Sequence, residues 1–288
     1  MLPVLFRIGP ITVYSYGLMM ALGFIAADLI CTSEFKRRGL NPDQASMLVL
    51  WAALGGIAGS RLYDVIDNWP QYAAHPSSII FSGAGFVWFG GLMGGIAVSF
   101  LVVRHYHLKW LVAADCLAPG IAIGQALGRV GCLLSGDGDW GMESKLPWAM
   151  SYPHAIVGWT GRTVLALNHA NQLVAGPGCN DYGCASWVRV HPAPIYEALL
   201  YTGVCLFLWS IRKRPQPDGR LFFLYMILAG ASRFMVEFIR VNPRVFMGLS
   251  EAQLIAALMI IGGLALYAWS RTQQPAALAR EAAWASQP

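Results

Sequence analysis

Apolar residues gather into long windows along this chain, and a membrane-spanning helix needs about 20 mainly apolar residues. Seven windows meet or approach that length: residues 12–31, 46–66, 85–103, 112–134, 195–211, 221–239 and 250–269. The pattern predicts an all-α polytopic membrane protein of about seven transmembrane helices. Two windows are compromised. The one from 85 carries Gly90, Gly91, Gly94 and Gly95, and the one from 112 contains Pro119 and Gly120, which predicts non-ideal helix packed inside the bundle. Residues 135–194, between the fourth and fifth windows, interleave Trp140, Trp148, Trp159 and Trp187 with Gly, Pro and His. So long a connection predicts an external subdomain or lid over a membrane-embedded site. The expected organisation is therefore spans 1–4 in residues 1–134, a periplasmic head in 135–194, spans 5–7 in 195–270 and a cytoplasmic tail in 271–288.

Lysine and arginine set the expected orientation, because cytoplasmic loops are enriched in them. With the N-terminus outside, the inner segments hold eleven: Lys36, Arg37, Arg38, Arg104, Lys109, Arg212, Lys213, Arg214, Arg220, Arg271 and Arg280. The outer segments hold six: Arg7, Lys145, Arg162, Arg189, Arg240 and Arg244. Composition agrees with lipid as solvent. Charged residues are 12% and hydrophobic residues 56%, against roughly 25% charged in an ordinary soluble domain. The 31 glycines suit helices whose backbones pack closely in a bilayer. The net charge of +5 is accounted for by these loops and gives no reason to expect nucleic acid. The N-terminus lacks the pattern of a removable signal peptide and reads as an ordered first segment. No fixed-period repeat supports a secondary transporter. The six cysteines form no metal-binding spacing; Cys179 and Cys184 are placed for a disulfide if their loop faces an oxidising space.

Three arginines remain inside spans, where a charge is costly unless it faces a partner or a polar cavity. Arg129 lies near the outer end of the fourth span, with glycines at 124, 128, 131 and 136 leaving room for a bulky ligand. Its guanidinium suits a phosphate; the bland alternative is an ion pair with Asp137 or Glu237. Arg233, Glu237 and Arg240 share one helical stripe. Two cations and one anion there predict a net positive surface for an anionic ligand. Arg61 precedes Asp64 by three residues and has an i, i+3 pair available. His191 and Glu197, at the start of the fifth span, either complete that helix start or accept a proton at the membrane surface. Tyr16, near the outer end of the first span, is placed as an interfacial belt residue.

With these residues in place, the chain resembles the prolipoprotein diacylglyceryl transferases of bacterial inner membranes. The resemblance rests on Ile8-Gly-Pro-Ile, Tyr16-Gly-Leu-Met-Met-Ala-Leu-Gly-Phe, Gly59-Ser-Arg61-Leu and Asp115-Cys-Leu-Ala-Pro119. It continues with Gly128-Arg129-Val-Gly131, His191-Pro192 with Tyr196-Glu197, and Arg233 with Glu237-Phe and Arg240. It implies seven spans with an external N-terminus, and transfer of a diacylglyceryl group from phosphatidylglycerol to the lipobox cysteine thiol of a preprolipoprotein signal peptide. No metal or organic cofactor is implied. Carried over by position, Tyr16, Arg129, Arg233, Glu237 and Arg61 belong to the site; with Asp137 and His191 as candidate proton acceptors, the expected catalytic residues are Arg129, Arg233, Glu237, Asp137 and His191. Arg129, Arg233, Tyr16, Arg61 and Arg240 are the expected substrate contacts. The chain departs from the family's usual pattern at Phe89, where a histidine is common, and at Cys132, Ser135 and Asp137, which stand for two asparagines and a glutamate. One extra residue precedes Trp140-Gly141. A proton acceptor then comes from Asp137, or from His154, His169 or His191. The second reading is a non-catalytic or altered-substrate paralogue that binds or transports lipid.

Overall fold

The computed structural model of the protein describes residues 2–9, 11–74, 87–152, 165–167, 173–175, 179–180, 183–184, 188–242 and 244–285. His154 and His169 lie outside them. The chain opens with a hairpin, β1 (Val4–Ile8) and β2 (Ile11–Tyr14), and continues into α1 (Ser15–Arg37), α2 (Pro42–Asp67) and the short α3 (Trp69–Ala74). Then come α4 (Trp88–His105) and α5 (Trp110–Ser135). After them, β3 (Leu165–Leu167) pairs with β4 (Leu173–Ala175), and β5 (Cys179–Asn180) with β6 (Gly183–Cys184). The order ends with α6 (Ala193–Ile211), α7 (Arg220–Val236), the hairpin β7 (Arg244–Phe246) and β8 (Leu249–Ser250), and α8 (Glu251–Ala285).

A helix thus occupies each of the seven apolar windows. Five are long and apolar enough to cross a bilayer: Ser15–Arg37, Pro42–Asp67, Trp110–Ser135, Ala193–Ile211 and Glu251–Thr272. The other two, α4 and α7, have 18 and 17 residues. This is a multi-pass membrane architecture. The architecture is all-helical as expected, with short antiparallel hairpins added outside the helices. The first span starts at Ser15 and not at residue 12, because Ile-Thr-Val-Tyr is β-branched and aromatic and pairs back on Val4–Ile8 across a turn with Gly9 at φ 57°. α5 runs unbroken from Trp110 to Ser135, since one missing backbone donor is tolerable inside a packed bundle. Cys179 and Cys184 face each other across β5–β6; their side chains lie outside the described residues.

Contacts divide the chain into two units, residues 27–117 and residues 1–26 with 118–288. In the first, α2 begins at Asn41, whose side chain accepts from the Asp43 amide at 2.9 Å, followed by Pro42 in the first turn. α2 and α4 then meet backbone to backbone. A Cβ on Gly59 would strike the Gly90 carbonyl, and one on Gly94 the Gly55 carbonyl. The glycines that made window 85 look weak as a helix are therefore what let it pack. Cys31, Phe35, Leu48, Val102, Val103 and Cys116 form the core of this unit, and buried Asp115 is paired with Arg38 at 3.4 Å.

In the second unit, α7 and α8 approach closely at Gly230, where a Cβ would lie 2.9 Å from the Ala256 carbonyl. The hydroxyl of Tyr225 on α7 donates to Gln125 of α5 at 3.0 Å. A Cβ on Gly23 would lie 3.3 Å from the Gly124 carbonyl, so the start of α1 rests on α5. Ion pairs of Glu197 with Arg129 and Arg233 join the N-terminal end of α6 to the C-terminal ends of α5 and α7.

Candidate active site: an arginine and carboxylate cluster

Those three helix ends carry the intramembrane charges. Arg129 comes from the last two turns of α5, Glu197 from the first turns of α6, Arg233 from the last turn of α7, and Glu237 and Arg240 from the turn that follows it. Glu197 is the hub. It is fully buried, and its Oε2 takes Arg129 Nε at 2.7 Å while its Oε1 takes Arg233 Nη1 at 2.5 Å. Arg233 Nη2 also pairs with Glu237 at 3.1 Å, as their i, i+4 spacing allows. Arg240 Nη1 lies 3.8 Å from Glu197, and its Nε 3.8 Å from Glu237. Asp139, in the loop after α5, completes the set: one carboxylate oxygen contacts Arg129 and the other Arg240.

Three guanidiniums therefore face three carboxylates, and the net charge of the cluster is zero. This corrects the expectation of a positive stripe. Spacing along α7 reveals two cations and an anion, but the balancing acids come from α6 and from the loop after α5. It also corrects the simple ion pair considered for Arg129, whose partners are Asp139 and Glu197 and not Asp137 or Glu237. An isolated carboxylate as buried as Glu197 costs several kcal/mol in desolvation, and one guanidinium against each of its oxygens offsets that cost. Arg129 and Arg233 keep 24% and 22% of their side chains exposed.

A second set of groups holds Glu237 in place. Its Oε1 accepts from Asn242 and, at 2.8 Å, from the Ser250 hydroxyl. Ser250 is tied through its amide to Gln253 Oε1 at 3.1 Å, which also accepts from Arg244 at 2.7 Å. The β7–β8 hairpin thus supports the carboxylate that orients Arg233. Gly141 has a similar framing role. A Cβ there would lie 2.6 Å from the Ile239 carbonyl and 2.9 Å from the Cβ of His191, and its amide donates to the His191 carbonyl at 2.9 Å. The chain carrying Asp139 is in this way laced to the segments carrying Arg240 and His191.

The remaining expected site residues fall at different places. Tyr16 packs beside Gly131, whose added Cβ would lie 3.2 Å from the Tyr16 ring, and so stands half a turn from Arg129. Asp137 accepts from the Asp139 amide at 3.3 Å and shares a hydrogen bond with the Cys132 thiol; burial, then the charge of Asp139, raises its carboxyl above the usual value. His191 Nδ1 lies 3.3 Å from the Tyr196 hydroxyl, which accepts from the Trp148 indole at 2.7 Å. Burial lowers the pKa of His191, so its imidazole is neutral at neutral pH. Arg61 belongs to the 27–117 unit, where it pairs with Asp64 at 3.4 Å and lies over the Tyr72 ring at 5.4 Å, the local pair its spacing predicted. Phe89 is in that same unit, 39% exposed at the start of α4.

Cys132, Asp137 and Asp139 are the group of potential metal ligands among the described residues, with atoms within 4.8 Å of one another. Both oxygens of Asp139 are engaged by guanidiniums, so a cation there would compete with two arginines. Asp139 and the hub role of Glu197 are the parts that the sequence reading missed. The available signal was charge balance: three costly cations near one interface require acids, and Glu197 is an acid at the membrane end of an apolar helix.

The family model described as prolipoprotein diacylglyceryl transferase matches residues 3–269. A Dehalococcoides mccartyi protein named phosphatidylglycerol–prolipoprotein diacylglyceryl transferase is 34% identical over 278 residues, covering 94% of this chain and 95% of its own. Proteins of the same name from Bordetella avium and Clostridium tetani are 32% and 29% identical, covering 92% and 93% of this chain and 93% and 97% of their own. An arginine and carboxylate cluster at converging helix ends, and a match along nearly the whole length, lead to one conclusion: the chain belongs to the prolipoprotein diacylglyceryl transferase family.

Proposed function

We propose that this protein transfers the diacylglyceryl group of phosphatidylglycerol to the lipobox cysteine thiol of a prolipoprotein, and that the Arg129–Glu197–Arg233 cluster is where the lipid phosphate is held. That cluster carries the reading. Glu197 sets two guanidiniums around one point, each partly exposed, and a phosphodiester is the complementary ligand. In the reaction the bond between the diacylglyceryl carbon and the phosphate oxygen breaks and the carbon–sulfur bond forms. The thiol proton passes to a base, and glycerol phosphate leaves with the electron pair. The arginines stabilise the charge that grows on the leaving phosphate; Arg240, Glu237 and Tyr16 position them and the lipid. The thiolate is the nucleophile. The site faces the periplasmic side of the bacterial inner membrane, with the N-terminus periplasmic, the C-terminus cytoplasmic, seven spans in all and residues 135–194 above the site. The loop charges support that orientation.

His191 is the proton acceptor in this reading. With its Nδ1–H donating to the second acceptor site of the Tyr196 oxygen, Nε2 is left basic. Its pKa is lowered from 6.5 by burial, so the base form is fully present above that value and is lost as pH falls through the lowered one. Transfer is expected to decline on that acid limb. His191→Gln should cost about 100-fold or more in rate and remove the limb from the pH profile. A limb that survives His191→Gln but vanishes in Asp137→Asn moves the proton to Asp137.

The functional test is expression in a bacterium depleted of its own transferase, with lipid attachment to a reporter prolipoprotein measured by mass. The expected result is a modified reporter. An unmodified reporter, with the protein present in the membrane, defeats the enzymatic reading; if phosphatidylglycerol still binds, the lipid-binding paralogue takes its place.

A further inference from the structure

Adding a phosphodiester monoanion to a cluster that is already neutral leaves one uncompensated negative charge in a largely desolvated site, which is strongly unfavourable. One carboxylate must give way. Glu197 and Glu237 are fully buried and each is engaged by more than one group. Asp139 differs in three respects. Its side chain is 27% exposed. It sits in a short loop with Gly136 and Gly138 at φ 65° and 93°, a left-handed conformation that glycine adopts at no steric cost. Its two oxygens are divided between Arg129 and Arg240, so it covers one of the two guanidiniums that a clamped phosphate needs.

We infer that Asp139 is an exchangeable counter-ion: in the lipid-free protein it holds the Arg129 arm of the Arg129–Arg233 clamp, with Arg240 as its second contact, and the incoming lipid phosphate displaces it from Arg129. The inference rests on the phosphate-clamp reading. Burial works against the charge of Asp139, but Arg240 and Arg129 outweigh it and hold its carboxyl well below the usual carboxylate range, so it leaves as an anion and not by taking up a proton. The movement is confined to the loop. Downstream, Trp140 is buried against Tyr152 with ring centroids 4.6 Å apart, and Gly141 is pinned by its hydrogen bond to His191. Asp139 thereby sets affinity: it neutralises the arginines until an anion arrives and competes with every ligand for them.

The test uses the full-length protein in nanodiscs of a neutral diacyl glycolipid, with or without phosphatidylglycerol. Thermal unfolding reports whether phosphatidylglycerol binds, and mass spectrometry reports how fast a water-soluble carbodiimide and glycinamide label Asp139. The expected result is stabilisation by phosphatidylglycerol together with several-fold faster labelling of Asp139. Stabilisation with unchanged or slower labelling overturns the exchange and leaves the clamp intact. No stabilisation overturns the clamp itself and the exchange with it. Asp139→Asn, which keeps the shape and removes the competing charge, should tighten the apparent Kd for phosphatidylglycerol by about tenfold, because apparent affinity is reduced by the fraction of protein with its site unavailable. Asp139→Glu should stay nearer wild type. An Asp139→Asn Kd equal to or weaker than wild type also overturns the exchange. If that variant is not recovered folded, the labelling of the wild-type protein decides.

Discussion

Glu197→Gln is expected to eliminate measurable transfer and to lower thermal stability at the same time. Glutamine keeps the volume and one acceptor oxygen but removes the charge that both Arg129 and Arg233 contact, at 2.7 and 2.5 Å. The cluster is then left with a net positive charge in a desolvated place. Removing one partner of a buried ion pair costs about 3–5 kcal/mol, and here a single carboxylate serves two cations. The arginines would no longer be held on one point, so stabilisation of the leaving phosphate falls as well. Losing one such electrostatic contact commonly costs about 100- to 1,000-fold in rate. Transfer to a reporter prolipoprotein and the unfolding midpoint in detergent check both halves. Glu197→Asp, which keeps the charge one methylene short, should recover part of the stability and little of the rate. A folded Glu197→Gln protein with transfer near wild type would remove the hub from the mechanism.

Arg233→Ala carries the second large effect, near-complete loss of turnover. Its guanidinium is the only group in the cluster that links Glu197 directly to Glu237 through hydrogen-bond-length contacts among the described residues. Alanine takes away the phosphate donor and strips Glu197 and Glu237 of a cation together. Arg233→Lys separates these contributions, because lysine restores the charge without the planar fork. It should restore stability more fully than transfer. Rates at the wild-type level in Arg233→Ala, with lipid attachment measured in membranes of confirmed protein content, would exclude Arg233 from the chemistry.

Most of the helical framework was legible because the cost of burying backbone and charge in lipid is written locally. A window such as 195–211 becomes α6 (Ala193–Ile211), with Pro194 in its first turn, and window 46–66 becomes α2 with an Asn41 cap. The hairpins were not anticipated. Val4–Ile8 with Ile11–Tyr14, and Arg244–Phe246 with Leu249–Ser250, are too short to stand out beside apolar runs several times longer. The run of glycines at 90, 91, 94 and 95 was visible, but its use was not. Glycine lowers the stability of an isolated helix, and only the presence of Gly55 and Gly59 on α2 turns it into a packing surface.

The arginine cluster divides in the same way. Arg129 and Arg233 could be singled out from the sequence alone, because an arginine in an apolar span is costly wherever it later points, and the stripe that joins Arg233 to Glu237 and Arg240 follows from helix geometry. Arg61 and Asp64 likewise pair as their spacing dictates. Only the tertiary structure decided that Glu197 joins Arg129 to Arg233 and that Asp139, two residues beyond the favoured Asp137, bridges Arg129 to Arg240. It also decided that the cluster is neutral. Glu197 stands 68 residues from one partner and 36 from the other, with a whole connecting region in between. Local periodicity carries no information over such separations, and the choice among acids is made by which helix ends the packing brings together.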